Sequence, residues 1–169
     1  FKGKNKLGDN STTKVFNRPW WSLMQEPTGY YEDFEKEKII YPNMTKYLPF
    51  VYDTNKFYTN QKCFILTSES VSLKYLIGFL NSKISQYWIR RNCPELLGGT
   101  RELSKIFFEL IPIPNISTKE QKLIINLVDE ILKKKKEGQD TTLCERKIDL
   151  LVYKLYNLYY RIYHLHAIQ

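Results

Sequence analysis

The stretch from Leu73 to Pro114 sets the tightest limits on how this chain can fold. Leu73, Leu76, Ile77, Leu80, Ile84, Tyr87 and Trp88 recur at three- and four-residue intervals, which is one face of a helix. Ser70 or Ser72 can cap that helix by accepting a backbone N–H, and Pro94 stops it. Gly78 sits in its interior at a propensity cost of about 1 kcal/mol, which predicts another backbone packed closely there. Gly98-Gly99 permits positive φ and a sharp reversal. R-E-L-S-K-I-F-F then predicts a short helix over 100–108. In I-P-I-P, each proline pushes the isoleucine before it out of the helical region, so Ile111 and Ile113 should be extended.

The flanks complete an α+β plan. Within 38–67, the runs K-I-I-Y, L-P-F-V-Y, F-Y-T and C-F-I-L-T are short, aromatic or β-branched, and bounded by Asn, Asp and Pro. They predict strands of a small mixed or antiparallel sheet with helices packed on it. Ser117 or Thr118 should cap a second long helix with the stripe Leu123, Ile124, Leu127, Val128, Ile131 and Leu132. Gly138 suits its end. Thr141 or Thr142 opens a third helix carrying Leu143, Ile148, Leu151, Val152, Leu155, Tyr156 and Leu158. So short a connection predicts an antiparallel hairpin. The division expected is a linker over 1–14, an α/β lobe over 15–115, a hairpin over 116–163 and a tail over 164–169. Trp20 and Trp21 should anchor the start of the ordered lobe. The chain begins with Phe1 rather than Met, which reads as a piece of something longer, with chemistry carried elsewhere.

The formal net charge of +8 favours an anionic partner, nucleic acid first and an anionic membrane surface second. Cys63, Cys93 and Cys144 form no C-x-x-C pair, and their odd number suits free thiols in a reducing cytoplasm. Lys74 and Lys83 interrupt the most apolar stretch, so no membrane span is expected.

The candidate contacts to nucleic acid fall in two groups. The basic helix end Arg90, Arg91 and Asn92, with Arg101 and Lys105 after the glycine pair, can neutralise phosphates or pair bidentately with guanine. Lys46, Lys56, Asn60, Gln61 and Lys62 lie in donor-rich strand loops, and Asn or Gln can pair with adenine. The first group also suits a helix dipole and the second ordinary turns. Catalytic patterns are missing: Asp140 with Glu145-Arg146-Lys147 is helical rather than strand-borne, His164 and His166 do not share a helical face, and no N-P-P-Y, G-x-G-x-x-G or Walker loop occurs. No metal or cofactor is expected to be held by this stretch itself.

Several blocks resemble the TaqI-like C-terminal specificity domains of Type IIG restriction-modification enzymes, and more distantly the specificity subunits of Type I systems. The matching residues are E-K-E-K-I-I-Y-P (Glu35 to Pro42), F-V-Y-D and F-Y (Phe50 to Asp53, Phe57-Tyr58), L-I-G-F-L-N-S-K-I (Leu76 to Ile84) and L-I-P-I-P (Leu110 to Pro114). The helical blocks Glu120 to Leu132 and Ile148 to Leu158 complete the set, so that the likeness spans roughly residues 16–160. The resemblance implies a recognition lobe followed by a helical pair, with duplex DNA as partner. It also implies an upstream domain in the same chain that methylates adenine with S-adenosylmethionine, and Mg where a nuclease is present. It names regions rather than base-reading residues. A protein-interaction module built on the hairpin and an RNA-binding domain remain as alternatives.

Overall fold

The computed structural model describes residues 31–158. The segment 1–14, Trp20, Trp21, His164 and His166 lie outside the described residues. The architecture is α+β with antiparallel sheets, as expected. Strand β1 (Lys38–Pro42) is the centre of a three-stranded sheet, between β3 (Val51–Asp53) and β4 (Cys63–Leu66). Strand β2 (Met44–Thr45) pairs instead with β5 (Arg101–Glu102) in a second, two-stranded sheet.

F-Y-T is not a strand. Asp53 accepts the backbone N–H groups of Asn55 and Phe57 at 2.8 and 3.0 Å, and Lys56 takes φ 59°. That side-chain bonding curls the chain into a turn and leaves Phe57 and Tyr58 exposed.

The long helix expected from Leu73 to Trp88 is two helices, α1 (Leu73–Leu80) and α2 (Lys83–Asn92). Tertiary bonding breaks it. Asn81 donates its side-chain amide to the Phe50 carbonyl, and buried Ser82 caps α2 through the Ser85 N–H. Asp149 then accepts the Lys83 N–H at 2.7 Å. Ser72 caps α1 as expected, and α2 ends at Asn92, ahead of Pro94. Tyr87 is 64% exposed, off the buried face.

The short helix of the next segment is only α3 (Lys105–Phe108), because Arg101 and Glu102 pair with β2. Helix α4 (Thr118–Lys136) opens with a capping box between Ser117 and Glu120, and α5 (Thr142–Leu155) follows after Gly138 at φ 67°. Ile124, Val128, Ile148 and Val152 are buried in their seam, whereas Leu123 and Leu143 face outward and Leu158 lies past the end of α5. Lys134, near the end of α4, lies beside Cys144, near the start of α5, and with only residues 137–141 between the helices α5 folds back along α4 as an antiparallel pair.

The hairpin joins the lobe through α1. A Cβ on Gly78 would sit 2.6 Å from Ile124 Cγ2 and 3.0 Å from Val128 Cγ2. The close neighbour is therefore the side-chain surface of α4, not a backbone. Lys74 and Asp129 bridge the same two helices at 2.6 Å. Tyr75 donates to the Pro114 carbonyl at 2.7 Å and Tyr156 to that of Pro112, which pins the I-P-I-P exit. One core runs from Ile39 and Tyr41 of the sheet to Val152 of α5, continuous across residue 115.

Candidate nucleic-acid interface

Residues 94–102 form a narrow hairpin. Glu102 donates its N–H to the Pro94 carbonyl at 3.1 Å and Leu96 donates to Thr100 at 2.7 Å. Glu95 and Arg101 face each other as bridge partners. Gly98 and Gly99 turn the tip at φ 74° and 79°, the reversal expected of them. A Cβ at either glycine would meet nothing within 4 Å, so the tip stands clear of the protein. Leu97, on that tip, is 98% exposed.

Pairing of Thr45 with Arg101 brings Lys46 and Tyr47 beside this hairpin. The last turns of α2 close the other side. A small crevice is lined by Lys46, Tyr47, Gln86, Arg90, Gly99 and Arg101. Three of the residues expected from sequence thus converge: Lys46 just after β2, Arg90 on α2 and Arg101 on β5. Arg91 and Asn92 are exposed on the same helix end. The Arg91 guanidinium lies over the Tyr87 ring at 5.8 Å, which limits its swing. The Asn92 amide donates to the Trp88 carbonyl at 2.8 Å.

Arg101 is not presented outward as its loop suggests. Its Nη2 bonds Glu95 Oε2 at 2.6 Å and its Nη1 reaches the Cys93 carbonyl at 3.4 Å. The side chain is only 20% exposed, and Nε is buried without a partner. A planar fork committed to the base of its own hairpin is not free to pair with guanine in this conformation. Asn43 links the remaining basic segments: its N–H donates to the Lys62 carbonyl, and its carbonyl accepts from Leu103 N–H at 2.6 Å. Exposed Asn60, Gln61 and Lys62 therefore flank Asn43 on one side and exposed Lys105 on the other, with Lys105 near Glu109 at 3.5 Å. Asn60 accepts the Lys62 N–H at 2.9 Å, which orders that turn.

Lys56 stands apart. The turn it occupies follows Asp53, which is paired with Lys38, whereas Lys62 lies by Pro42 at the other end of β1. Four residue steps of strand separate the two ends, about 14 Å. Lys56 also pairs with Glu35 at 2.9 Å. That end holds a group the sequence analysis did not single out. Lys38 and Asp53 meet at 2.6 Å with side-chain exposures of 0% and 2%, and Lys38 also donates to the Phe34 carbonyl at 2.6 Å. Burial alone would raise the Asp53 carboxyl. The Lys38 ammonium and the Asn55 and Phe57 N–H groups outweigh it and hold the carboxyl below its usual value. The signal was present in outline: a lysine leads the apolar K-I-I-Y run, and a buried lysine needs a carboxylate.

A depression of about 740 Å³ lies between the Tyr31–Glu35 turn and the start of α1. Asp33, Glu37 and Glu69 line it with Lys36 and Lys74, and those two ammonium groups already pair with Asp33 and Asp129, so it offers a phosphate no excess of positive charge. Among the described residues, no group of His, Cys, Asp and Glu could hold a metal ion, and no helix is long and apolar enough to cross a membrane.

The chain matches the model of the TaqI-like C-terminal specificity domain over residues 2–113, about two-thirds of its length, and it belongs to that family. Such domains serve DNA target recognition in restriction-modification enzymes. The match ends before Pro114, so α4 and α5 lie outside it, whereas the likeness read from motifs runs on to Leu158. It takes in the crevice, the hairpin tip and all ten candidate contact residues.

Proposed function

We propose that this chain is the target-recognition domain of a Type IIG restriction-modification enzyme and reads duplex DNA through the end of the lobe that carries the 94–102 hairpin. The observation that carries the reading is the meeting of Lys46 and Arg90 at one crevice beside a glycine-turned tip, within the family match. Lys46, Arg90 and Arg91 neutralise phosphates, and Lys62 and Lys105 extend the track. Asn60, Gln61 and Asn92 are the amide side chains within reach of base edges, Asn92 after releasing Trp88. Arg101 positions the hairpin. Lys56, at the far end of β1, contributes little.

The described residues offer no metal cluster, and the sequence has no N-P-P-Y loop. An upstream methyltransferase domain in the same chain would hold S-adenosylmethionine, and a nuclease, where present, would hold Mg. This chain's share is the choice of site.

Fluorescence anisotropy with duplex DNA over a range of salt tests the reading. About four to six neutralised phosphates give log affinity a slope near −4 to −5 on log salt. Salt-independent binding, or none at low salt, contradicts it. RNA competing as well as duplex DNA would favour an RNA-binding domain instead.

A further inference from the structure

We infer that Leu97 is an apolar wedge that enters the DNA and unstacks a base-pair step when the hairpin end of the lobe docks, a role that rests on the DNA reading above. Leu97 is 98% exposed, more than any other large apolar residue among those described as exposed. A leucine so placed covers no core surface. The hairpin beneath it is nevertheless built to hold it still. Two backbone hydrogen bonds close the loop, Arg101 and Glu95 clamp its base at 2.6 Å, and β5 ties it to β2. Gly98 and Gly99 add no side chain to the tip, and beyond their own chain neighbours nothing lies within 4 Å of where one would begin.

Charge complementarity selects the occupant. Lys46 and Arg90 line a crevice with Gly99 of the tip and Arg91 follows on α2, while Glu95, the acidic group at the hairpin's base, is paired with Arg101, so cations flank one side of the apolar tip. Phosphates drawn to that flank bring the grooves of a duplex onto the tip, and the apolar surface available inside a groove is the base stack. Leucine is among the side chains that act as wedges between base steps and kink the duplex. Tyr47, 74% exposed on the neighbouring strand end, supplies a second apolar surface beside the opened step. A protein partner of the tip would gain nothing from the cationic flank unless it were itself acidic.

The test uses the whole chain and a random-sequence duplex library in which 2-aminopurine replaces adenine, because its fluorescence rises when it unstacks. Wild type and Leu97→Met are expected to raise the fluorescence several-fold on binding, and Leu97→Ala to lose that rise. The salt slope of Leu97→Ala should match wild type, since no phosphate contact is removed. Binding without a rise in wild type, or an equal rise in Leu97→Ala, overturns the wedge and leaves the DNA reading standing. Absence of DNA binding in wild type overturns both.

Discussion

At one end of β1, Lys38 and Asp53 meet at 2.6 Å with side-chain exposures of 0% and 2%. At the other end, Arg101 and Glu95 meet at the same distance with exposures of 20% and 57%. Each pair ties a loop down: the first holds the Phe34 carbonyl and the 53–57 turn, the second the 94–102 hairpin. Equal contact distance does not mean equal energetic weight. A sealed pair has no water to fall back on, so removing one partner strands a charge. An exposed pair loses little, because solvent replaces the lost partner. The sealed end is therefore structural, and the less buried end is the one proposed above to face DNA.

The largest effect expected follows from that contrast. Lys38→Met leaves the Asp53 carboxylate buried without its cation and should destabilise by about 3–5 kcal/mol in urea unfolding. A loss under about 1 kcal/mol would mean that water reaches Asp53 and the two ends are alike. The pH dependence sharpens the test. In wild type the folded Asp53 carboxyl lies below its usual value of 3.8, so its contribution is present above that pH and is lost as pH falls through the folded value. In Lys38→Met only the Asn55 and Phe57 N–H groups still oppose burial, so the carboxyl should titrate higher than in wild type and the loss of stability on acidification should shrink.

Gly78→Ala comes next and probes the joint between lobe and hairpin. Alanine gains about 1 kcal/mol of helix propensity, but overpacking against Ile124 at 2.6 Å costs about 1–3 kcal/mol. Ile124 is β-branched, 1% exposed and cannot swing aside, so the clash wins and a net loss near 1 kcal/mol is expected in the same urea assay. A stabilised variant would show that α1 and α4 can slide apart.

The smallest stability effect belongs to Glu95→Gln, at or below about 1 kcal/mol, because its partner keeps solvent and the Cys93 carbonyl. A loss as large as that of Lys38→Met would erase the distinction between the two ends.

The two ends also differed in how far the sequence disclosed them. Periodicity and capping are local, so α4, α5, the Ser117 cap and the glycine turn at 98–99 were legible. The break between α1 and α2 was not, because the apolar spacing runs through it. Asn81 and Ser82 are residues that compete with helix, but what makes them win is Phe50 and Asp149, far along the chain. Arg101 misled for the same reason: its partner Glu95 becomes a neighbour only once the hairpin closes. The convergence of Lys46 with Arg90 likewise depends on β2 choosing β5 over the main sheet, a pairing of two residues with almost no pattern of its own. Leu97 carried a weak local sign, an apolar residue beside two glycines, which suits a tip better than a core.

In the proposed function the hairpin end of β1, and not the Lys38 end, is the DNA face. The most direct measurement is the salt slope of duplex DNA binding for Arg90→Ala/Arg91→Ala beside Lys56→Ala. The double variant should flatten the slope by about 2 and Lys56→Ala should leave it unchanged. An unchanged slope in the double variant, with a loss in Lys56→Ala, would move the interface to the other end and contradict the account.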